Sequence, residues 1–166
     1  MLPMAIKRTR ELKPLSSEHH QALLVAFQLK KGLAGHSESA GAPKDLAGLL
    51  ALARRFEQAV FLTHTRAEEE LLGRYLSDAD MRRLTFEHAE MVRLLNVAPQ
   101  SRPGETRQAL TAFADLLERH VRWEERELFP ACEAVMGVDA LALVGHELEK
   151  RLVLQRHEAK AAAKRP

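Results

Sequence analysis

Cysteine is almost missing from this chain, which has a single one, Cys132, in 166 residues. One cysteine forms no internal disulfide and makes no zinc site by itself, and it is typical of a protein from a reducing compartment. β-Branched residues are also few: nine Val, one Ile and six Thr, against 27 Leu and 25 Ala. Because Leu and Ala favour helices whereas β-branched residues favour strands, the composition argues against a large sheet and predicts an all-α fold.

The chain also lacks an excess of charge of one sign and any long hydrophobic run. Its 25 Lys and Arg nearly balance 23 Asp and Glu, so the composition does not predict nucleic-acid or membrane binding. The longest apolar run, residues 46–53, is too short to span a bilayer, and the first residues contain no apolar core of a secretory signal. We therefore expect a soluble, cytoplasmic protein with no nucleic-acid or membrane partner, and the sequence indicates no particular protein partner.

Short clusters of proline, glycine and serine divide the chain into five segments in which apolar residues recur at helical spacing. We expect an irregular lead-in over residues 1–15, one helical domain over residues 16–158, and a basic tail over residues 159–166. Four amphipathic helices with short connections predict an up-down antiparallel four-helix bundle. The fifth segment is expected to form an additional C-terminal helix against the outside or one end of the bundle.

Capping residues and helix breakers predict where these helices begin and end. The expected boundaries are a first start at Ser16 or Ser17, a second at Pro43, a third at Ser77, a fourth helix that stops before Pro130, and a last helix over about residues 138–157.

Two of the eight histidines begin the same short pattern, His64-x-x-x-Glu68 and His120-x-x-x-Glu124. Residues four apart lie on one helix face, so an imidazole and a carboxylate can bind the same metal centre. In an up-down bundle, neighbouring helices run in opposite directions. The same pole therefore holds the start of the first helix, the end of the second, the first half of the third and the end of the fourth. Six side chains of ligand type are thereby expected in one layer: His20, His64, Glu68, His88, His120 and Glu124.

The neighbours of these six residues favour a metal site over a set of ordinary core histidines. Each of the four histidines has apolar residues at helical spacing, and carboxylates on a core face are costly unless they are paired with a cation. Four imidazoles and two carboxylates without a thiolate suit iron, manganese or zinc. The ferritin-like Glu-x-x-His motif is absent, because no histidine has a glutamate three residues before it.

The strings SSEHHQALL, LTHTRAEEELL, FEHAEMVRLL and LLERHVRWEERELFP resemble the hemerythrin-like, or HHE cation-binding, domain family. The resemblance runs from about Ser16 to Pro130. It implies a four-helix bundle around a non-haem di-iron centre, with two iron ions held by histidines, bridged by two carboxylates and open to a small ligand such as O₂ or NO. Manganese and zinc are possible substitutes. Carried over by position, the ligands are the same six residues.

Two ligand positions involve a choice between neighbours. The oxygen carriers of the family space the last histidine and carboxylate five apart, which would select Glu125; the i+4 spacing from His120 favours Glu124. For the first histidine, His20 has Leu23, Leu24 and Phe27 at the next turns. His19 has Ala22, Leu23 and Ala26 there, so His20 is preferred.

The oxygen carriers also have a histidine where this chain has Val92, so it resembles the variant with four histidines and two glutamates. In the run 68–70, Glu69 and Glu70 are expected to face water.

Three classes of function follow from this reading. The first is a di-iron protein that binds or senses O₂ or NO, or that handles iron. The second is a di-iron oxidoreductase, for example one that reduces peroxide. The third is a metal-free helical interaction module.

Overall fold

Helices are the regular secondary structure of the part of the chain that the computed structural model describes, residues 9–100, 102–154 and 157. No strand occurs among these residues, so the predicted all-α class is confirmed. The expected basic tail, 159–166, and residues 1–8 of the expected lead-in lie outside the described residues.

Within the described residues, eight α-helices and several tighter or wider helical turns follow one another. The α-helices are α1 (Lys13–Leu33), α2 (Ser37–Ala40), α3 (Leu46–Phe56), α4 (Leu62–Leu72), α5 (Asp78–Val97), α6 (Pro103–Trp123), α7 (Phe129–Val135) and α8 (Val138–Leu148). π-Helical turns over Glu57–Phe61 and Glu124–Leu128 join α3 to α4 and α6 to α7, and a third, Glu149–Leu154, continues α8. Short 3₁₀ turns, Gly73–Tyr75 and Ala98–Gln100, follow α4 and α5.

The first two helix starts differ from the sequence prediction. Helix α1 begins at Lys13 rather than at Ser16 or Ser17, and Pro14 lies in its first turn, where a missing N–H costs nothing. Helix α3 begins after Asp45 rather than at Pro43, because the Asp45 carboxylate accepts a hydrogen bond from the Gly48 N–H at 2.7 Å.

The third start is confirmed, whereas the predicted end of the fourth helix is wrong. Ser77 caps α5, since its Oγ accepts a bond from the Asp80 N–H at 3.1 Å. The fourth helix does not stop before Pro130: the π turn leads directly into α7, and Pro130 occupies the first turn of that helix. Proline is tolerated there because the N–H it lacks belongs to the least-bonded turn.

Contacts between α1 and α6 show that these neighbouring helices run antiparallel. Near the start of α1, His19 meets Glu125, which follows α6. Toward the end of α1, Lys30 pairs with Glu118 within α6, and the Leu33 carbonyl accepts a bond from Arg107 near the start of α6. Helix α5 packs against α6 and α4, and α1 packs against α3. The four long helical segments are α1, α3 continued by α4, α5, and α6 continued by α7, and they form the predicted antiparallel bundle.

Two hydrophobic cores fill the two ends of this bundle. The larger contains Leu29, Phe56, Leu95, Leu110 and Phe113 among others. The smaller contains Leu12, Leu15, Leu72 and Phe129. It also contains Val144 and Leu148 of α8 and Leu152 of the π turn after α8. The predicted additional C-terminal helix thus covers one end of the bundle.

Gly145 brings α8 close to the segment that precedes α1. A Cβ atom at this position would lie 2.8 Å from the Cβ of Glu11 and 3.0 Å from its Cα, which is too close for a side chain.

No helix among the described residues is long and apolar enough to cross a membrane.

Candidate metal centre

A buried layer of polar side chains lies between the two hydrophobic cores. Glu68 and Glu124 are fully buried, and the histidines of the layer are at most 7 % exposed. Its members come from α1, α4, α5, α6 and the π turn that follows α6. We call this set the metal layer, and it consists of His19, His64, Glu68, His88, His120 and Glu124.

The imidazoles of the metal layer face one another in two pairs. Nε2 of His19 lies 3.1 Å from Nε2 of His64, and Nε2 of His88 lies 3.0 Å from Nε2 of His120. Each pair forms a four-residue cluster together with Glu68 and Glu124, and the ligand atoms of each cluster lie within 4.8 Å of one another. The two clusters therefore share both carboxylates, which we call the inner glutamates.

The opposite nitrogen of every imidazole meets a further glutamate. The four Nδ1–Oε distances are 2.7 or 2.8 Å. An ionised carboxylate only accepts hydrogen bonds, so each Nδ1 carries its proton and donates it outward. The Nε2 lone pair of the neutral imidazole is then directed into the layer. We call these four residues the outer glutamates, and they pair as Glu125 with His19, Glu18 with His64, Glu69 with His88, and Glu87 with His120.

The Nε2 atoms of the four imidazoles and the carboxylate oxygens of the inner glutamates have the properties of a donor set for cations. None of the four oxygens of Glu68 and Glu124 accepts a hydrogen bond from the described residues, although they lie 2.9 to 3.9 Å from imidazole Nε2 atoms. Buried carboxylate oxygens and facing nitrogen lone pairs both repel one another unless a positive charge lies between them. Two nitrogens bound to one metal at about 2.1 Å, about 90° apart, lie about 3 Å from each other, as the paired imidazoles do. The donor set therefore fits a bound metal.

In the metal-free protein, protons supply the positive charge of this layer. Burial lowers the pKa of an imidazole, but the surrounding carboxylates more than offset this and raise the pKa of His64 to about 9 and that of His88 to about 11. The pKa values of His19 and His120 are raised for the same reason. Burial and mutual repulsion would raise the pKa of Glu68, yet the adjacent imidazoles hold it well below its usual range.

The structure corrects the choice of His20. The His20 side chain is exposed, whereas His19 is buried in the metal layer. The large apolar residues after His20 do not mark the buried face of α1, because Leu24 and Phe27 are 50 % and 45 % exposed. The buried stripe of α1 instead includes small residues, and it runs through Leu15, His19, Ala22, Ala26 and Leu29.

The other five sequence-predicted residues, His64, Glu68, His88, His120 and Glu124, all lie in the metal layer, and their role as ligands stays a prediction. Glu124 points inward, and Glu125 bonds to His19 from outside, so the placement agrees with the i+4 choice. Val92, at the position of the carriers' additional histidine, packs against the larger hydrophobic core.

The outer glutamates were missed by sequence reasoning, and the expectation that Glu69 faces water is wrong. Its carboxylate lies 2.7 Å from Nδ1 of His88. Only Glu70 points outward, where it pairs with Arg151. The available signal was position in the chain, since each outer glutamate directly precedes or follows a residue of the metal layer.

The family model described as the hemerythrin HHE cation binding domain matches residues 11–132, with a second match over residues 80–150. The chain therefore belongs to this cation-binding family. No curated protein and no solved structure gave a significant match.

The two adjacent histidines of α1, His19 and His20, allow a direct test of which one binds metal. We expect His19→Ala to lower the metal content of the purified protein, because it removes one of the two imidazoles of a cluster. His20→Ala is the matched control and should retain the wild-type content, since its side chain lies outside the layer. Elemental analysis of both variants after the same loading measures this difference. Loss of metal from the His20 variant alone would contradict the placement.

Proposed function

We propose that this protein binds two non-haem iron ions in the metal layer. His19 and His64 would hold one ion, His88 and His120 the other, and the inner glutamates would bridge them. The observation that carries this proposal is the pair of four-residue clusters that share Glu68 and Glu124. Imidazole and carboxylate donors without thiolate suit iron, with manganese and zinc as substitutes.

We further propose that the centre binds a small ligand such as O₂ or NO. Two imidazoles and one oxygen from each inner glutamate would supply about four protein donors to each ion, fewer than the six of an octahedral site. A bound iron pair would supply open coordination positions and exchangeable electrons at this point. The residues around it decide which molecules reach those positions.

A small cavity beside the metal layer favours a diatomic ligand over a larger substrate. Its volume is about 10 Å³, close to the space that one water molecule occupies. His19, His64, His120 and Glu124 line one side. The remaining lining is mainly apolar and comprises Ala22, Phe56, Val60, Phe61, Leu117 and Val121, with Glu18 at the edge. A space of this size excludes a large substrate, and its apolar side imposes little desolvation cost on an uncharged small molecule.

Metal analysis tests the proposed centre. Protein purified without chelator and loaded with Fe(II) under anaerobic conditions should contain about two iron ions per chain, as its two clusters require. A stoichiometry near zero would contradict the proposal, and a stoichiometry near one would contradict the pairing of the two clusters.

Filling the cavity should hinder ligand binding without emptying the metal site. We expect Ala22→Val to slow NO binding to the reduced iron protein by several-fold. The two added methyl groups enter the cavity beside His19. Stopped-flow absorbance measures this rate.

Ala26→Val is the matched control, because Ala26 lies one turn further along the same buried stripe and does not line the cavity. It makes the same change in helix propensity and core volume. Equal rates in the two variants would show that ligands reach the centre by another route.

A further inference from the structure

The hydrogen bonds of the outer glutamates form a closed cycle around the bundle. Every one of the four long helical segments gives one glutamate to the histidine of the next segment and receives one in return. The order is Glu18 on α1 to His64 on α4, Glu69 on α4 to His88 on α5, Glu87 on α5 to His120 on α6, and Glu125 after α6 to His19 on α1.

The cycle follows from the position of each outer glutamate next to a residue of the metal layer. Consecutive residues of a helix point about 100° apart. When one residue faces the bundle axis, its neighbour is therefore aimed at the adjacent helix. Glu69 shows this arrangement: Glu68 points into the layer, and Glu69 reaches sideways to His88.

Each of these bonds has a consequence for the histidine that donates it. A carboxylate at Nδ1 selects the tautomer with its lone pair on Nε2, orients the imidazole plane, and makes the nitrogen a stronger donor. It also places a negative charge one imidazole away from the position of the ion. Negative charge near a metal stabilises its trivalent form more than its divalent form.

We propose that the outer glutamates position the four histidines for metal binding and lower the reduction potential of the iron pair. The inference rests on the proposed di-iron centre. It assigns two separable effects to these residues: the hydrogen bond sets affinity for the metal, and the charge sets the balance between Fe(III) and Fe(II).

Glu69 and Glu125 are the best residues for the test. Their side chains are 36 % and 27 % exposed, whereas that of Glu18 is 3 % exposed and its loss would also disturb packing. Glu87 additionally pairs with Arg83 at 2.9 Å, so part of its charge is already offset. Glu70 is the matched control, because it has the same side chain, follows Glu69, and points outward.

Glutamine and alanine variants separate the two effects. Glutamine keeps an oxygen that accepts the Nδ1 hydrogen bond and loses the charge, whereas alanine loses both. We expect Glu69→Ala and Glu125→Ala to weaken Zn²⁺ binding about 10- to 100-fold in a chelator competition, with a smaller change for Glu69→Gln and Glu125→Gln. Zinc is used here because it has no redox chemistry.

The second measurement is the midpoint potential of the iron-loaded protein by spectroelectrochemistry. We expect each glutamine variant to lower the Fe(III)-to-Fe(II) ratio about tenfold at a fixed potential, which is about 59 mV for one electron. The double variant, with Glu69→Gln and Glu125→Gln, should have a midpoint potential that is shifted further. The corresponding variants of Glu70 should match the wild type in both measurements.

The outcomes distinguish this inference from the proposed function. A wild-type protein that binds no metal contradicts the di-iron centre and the inference with it. A wild-type protein with two iron ions, and variants at Glu69 and Glu125 that behave like those at Glu70, contradicts the inference alone. An alanine variant that loses its helical circular dichroism has failed to fold. In that case the midpoint potential of the glutamine variant, which keeps the hydrogen bond, tests the inference.

Discussion

Replacing either inner glutamate by alanine is expected to remove most of the iron from both positions of the metal layer. Glu68 and Glu124 each belong to both four-residue clusters, so either substitution takes a donor and a negative charge from two ions at once. Iron content should fall from about two ions per chain to well below one. A histidine variant, by contrast, removes a donor from one cluster only. Elemental analysis after anaerobic loading, together with the visible spectrum of the oxidised protein, measures the difference.

The appropriate control for this experiment is Glu70→Ala. Glu69 is unsuitable because its carboxylate holds His88, whereas Glu70 pairs with Arg151 away from the layer. The Glu70 variant should keep both ions. Equal iron retention in the Glu68, Glu124 and Glu70 variants would show that the inner glutamates do not bind the metal. Glu68→Gln, which preserves the side-chain volume, distinguishes the loss of a ligand from a packing defect.

The metal-free protein is expected to become less stable as the pH rises from about 6.5 to 9. The pKa of His64 is about 9 in the folded protein, against an ordinary value of 6.5, because burial is more than offset by Glu68 and Glu18. A group whose pKa is raised by folding contributes its full stabilisation below the unfolded pKa and loses it as the pH passes the folded pKa. His64 alone accounts for about 3 kcal/mol, or about 10 °C in melting temperature for a chain of this size.

The other groups of the layer preserve the sign of this dependence. The pKa of His88 is raised to about 11, so its contribution declines over the same interval and beyond it. The pKa values of Glu68 and Glu124 are lowered by the adjacent imidazoles, so their contribution is present throughout this range and is lost only under acidic conditions. The sum is a melting temperature that falls from neutral to alkaline pH.

Metal binding should counteract this loss of stability at alkaline pH. Protons and metal ions compete for the same Nε2 lone pairs, so binding releases protons and becomes tighter as the pH rises. We expect the difference in melting temperature between zinc-loaded and metal-free protein to grow from pH 6.5 to 9. Thermal unfolding by circular dichroism measures both forms, and calorimetry in buffers of different ionisation enthalpy counts the released protons. A metal-free melting temperature that rises over this interval would contradict the raised pKa values.

Local patterns predicted the long helices, although not all of their ends, and three of the four helical contributions to the site, since only the histidine of α1 was assigned wrongly. Ser77 and the acidic residues after it are a start signal that depends only on nearby backbone N–H groups, and the structure uses it. The pairs His64/Glu68 and His120/Glu124 were found because i+4 spacing places both side chains on one face of any helix. The π turn Glu57–Phe61 ends before His64, and the π turn Glu124–Leu128 begins at Glu124. Neither turn separates the histidine of a pair from its glutamate.

Adjacent residues of one helix are harder to distinguish. His19 and His20 point about 100° apart, and both have apolar residues at the following turns. Which one is buried depends on the face that α1 turns toward its neighbouring helices, and Ala22 and Ala26 lie on that buried face. Large apolar side chains then remain on the outer face, which the pattern of α1 alone does not reveal.

The sequence by itself determined the all-α class, the number of long helices and the types of donor in the metal layer, because these depend on composition and on spacing within single helices. Only the tertiary structure decided that His19 rather than His20 enters the layer and that Glu69 faces His88 rather than water. It also revealed the closed cycle of Glu18, Glu69, Glu87 and Glu125. The physical reason is that each of these features is a contact between different helices, set by how the helices rotate and pack, and such contacts are not encoded in the periodicity of any one of them.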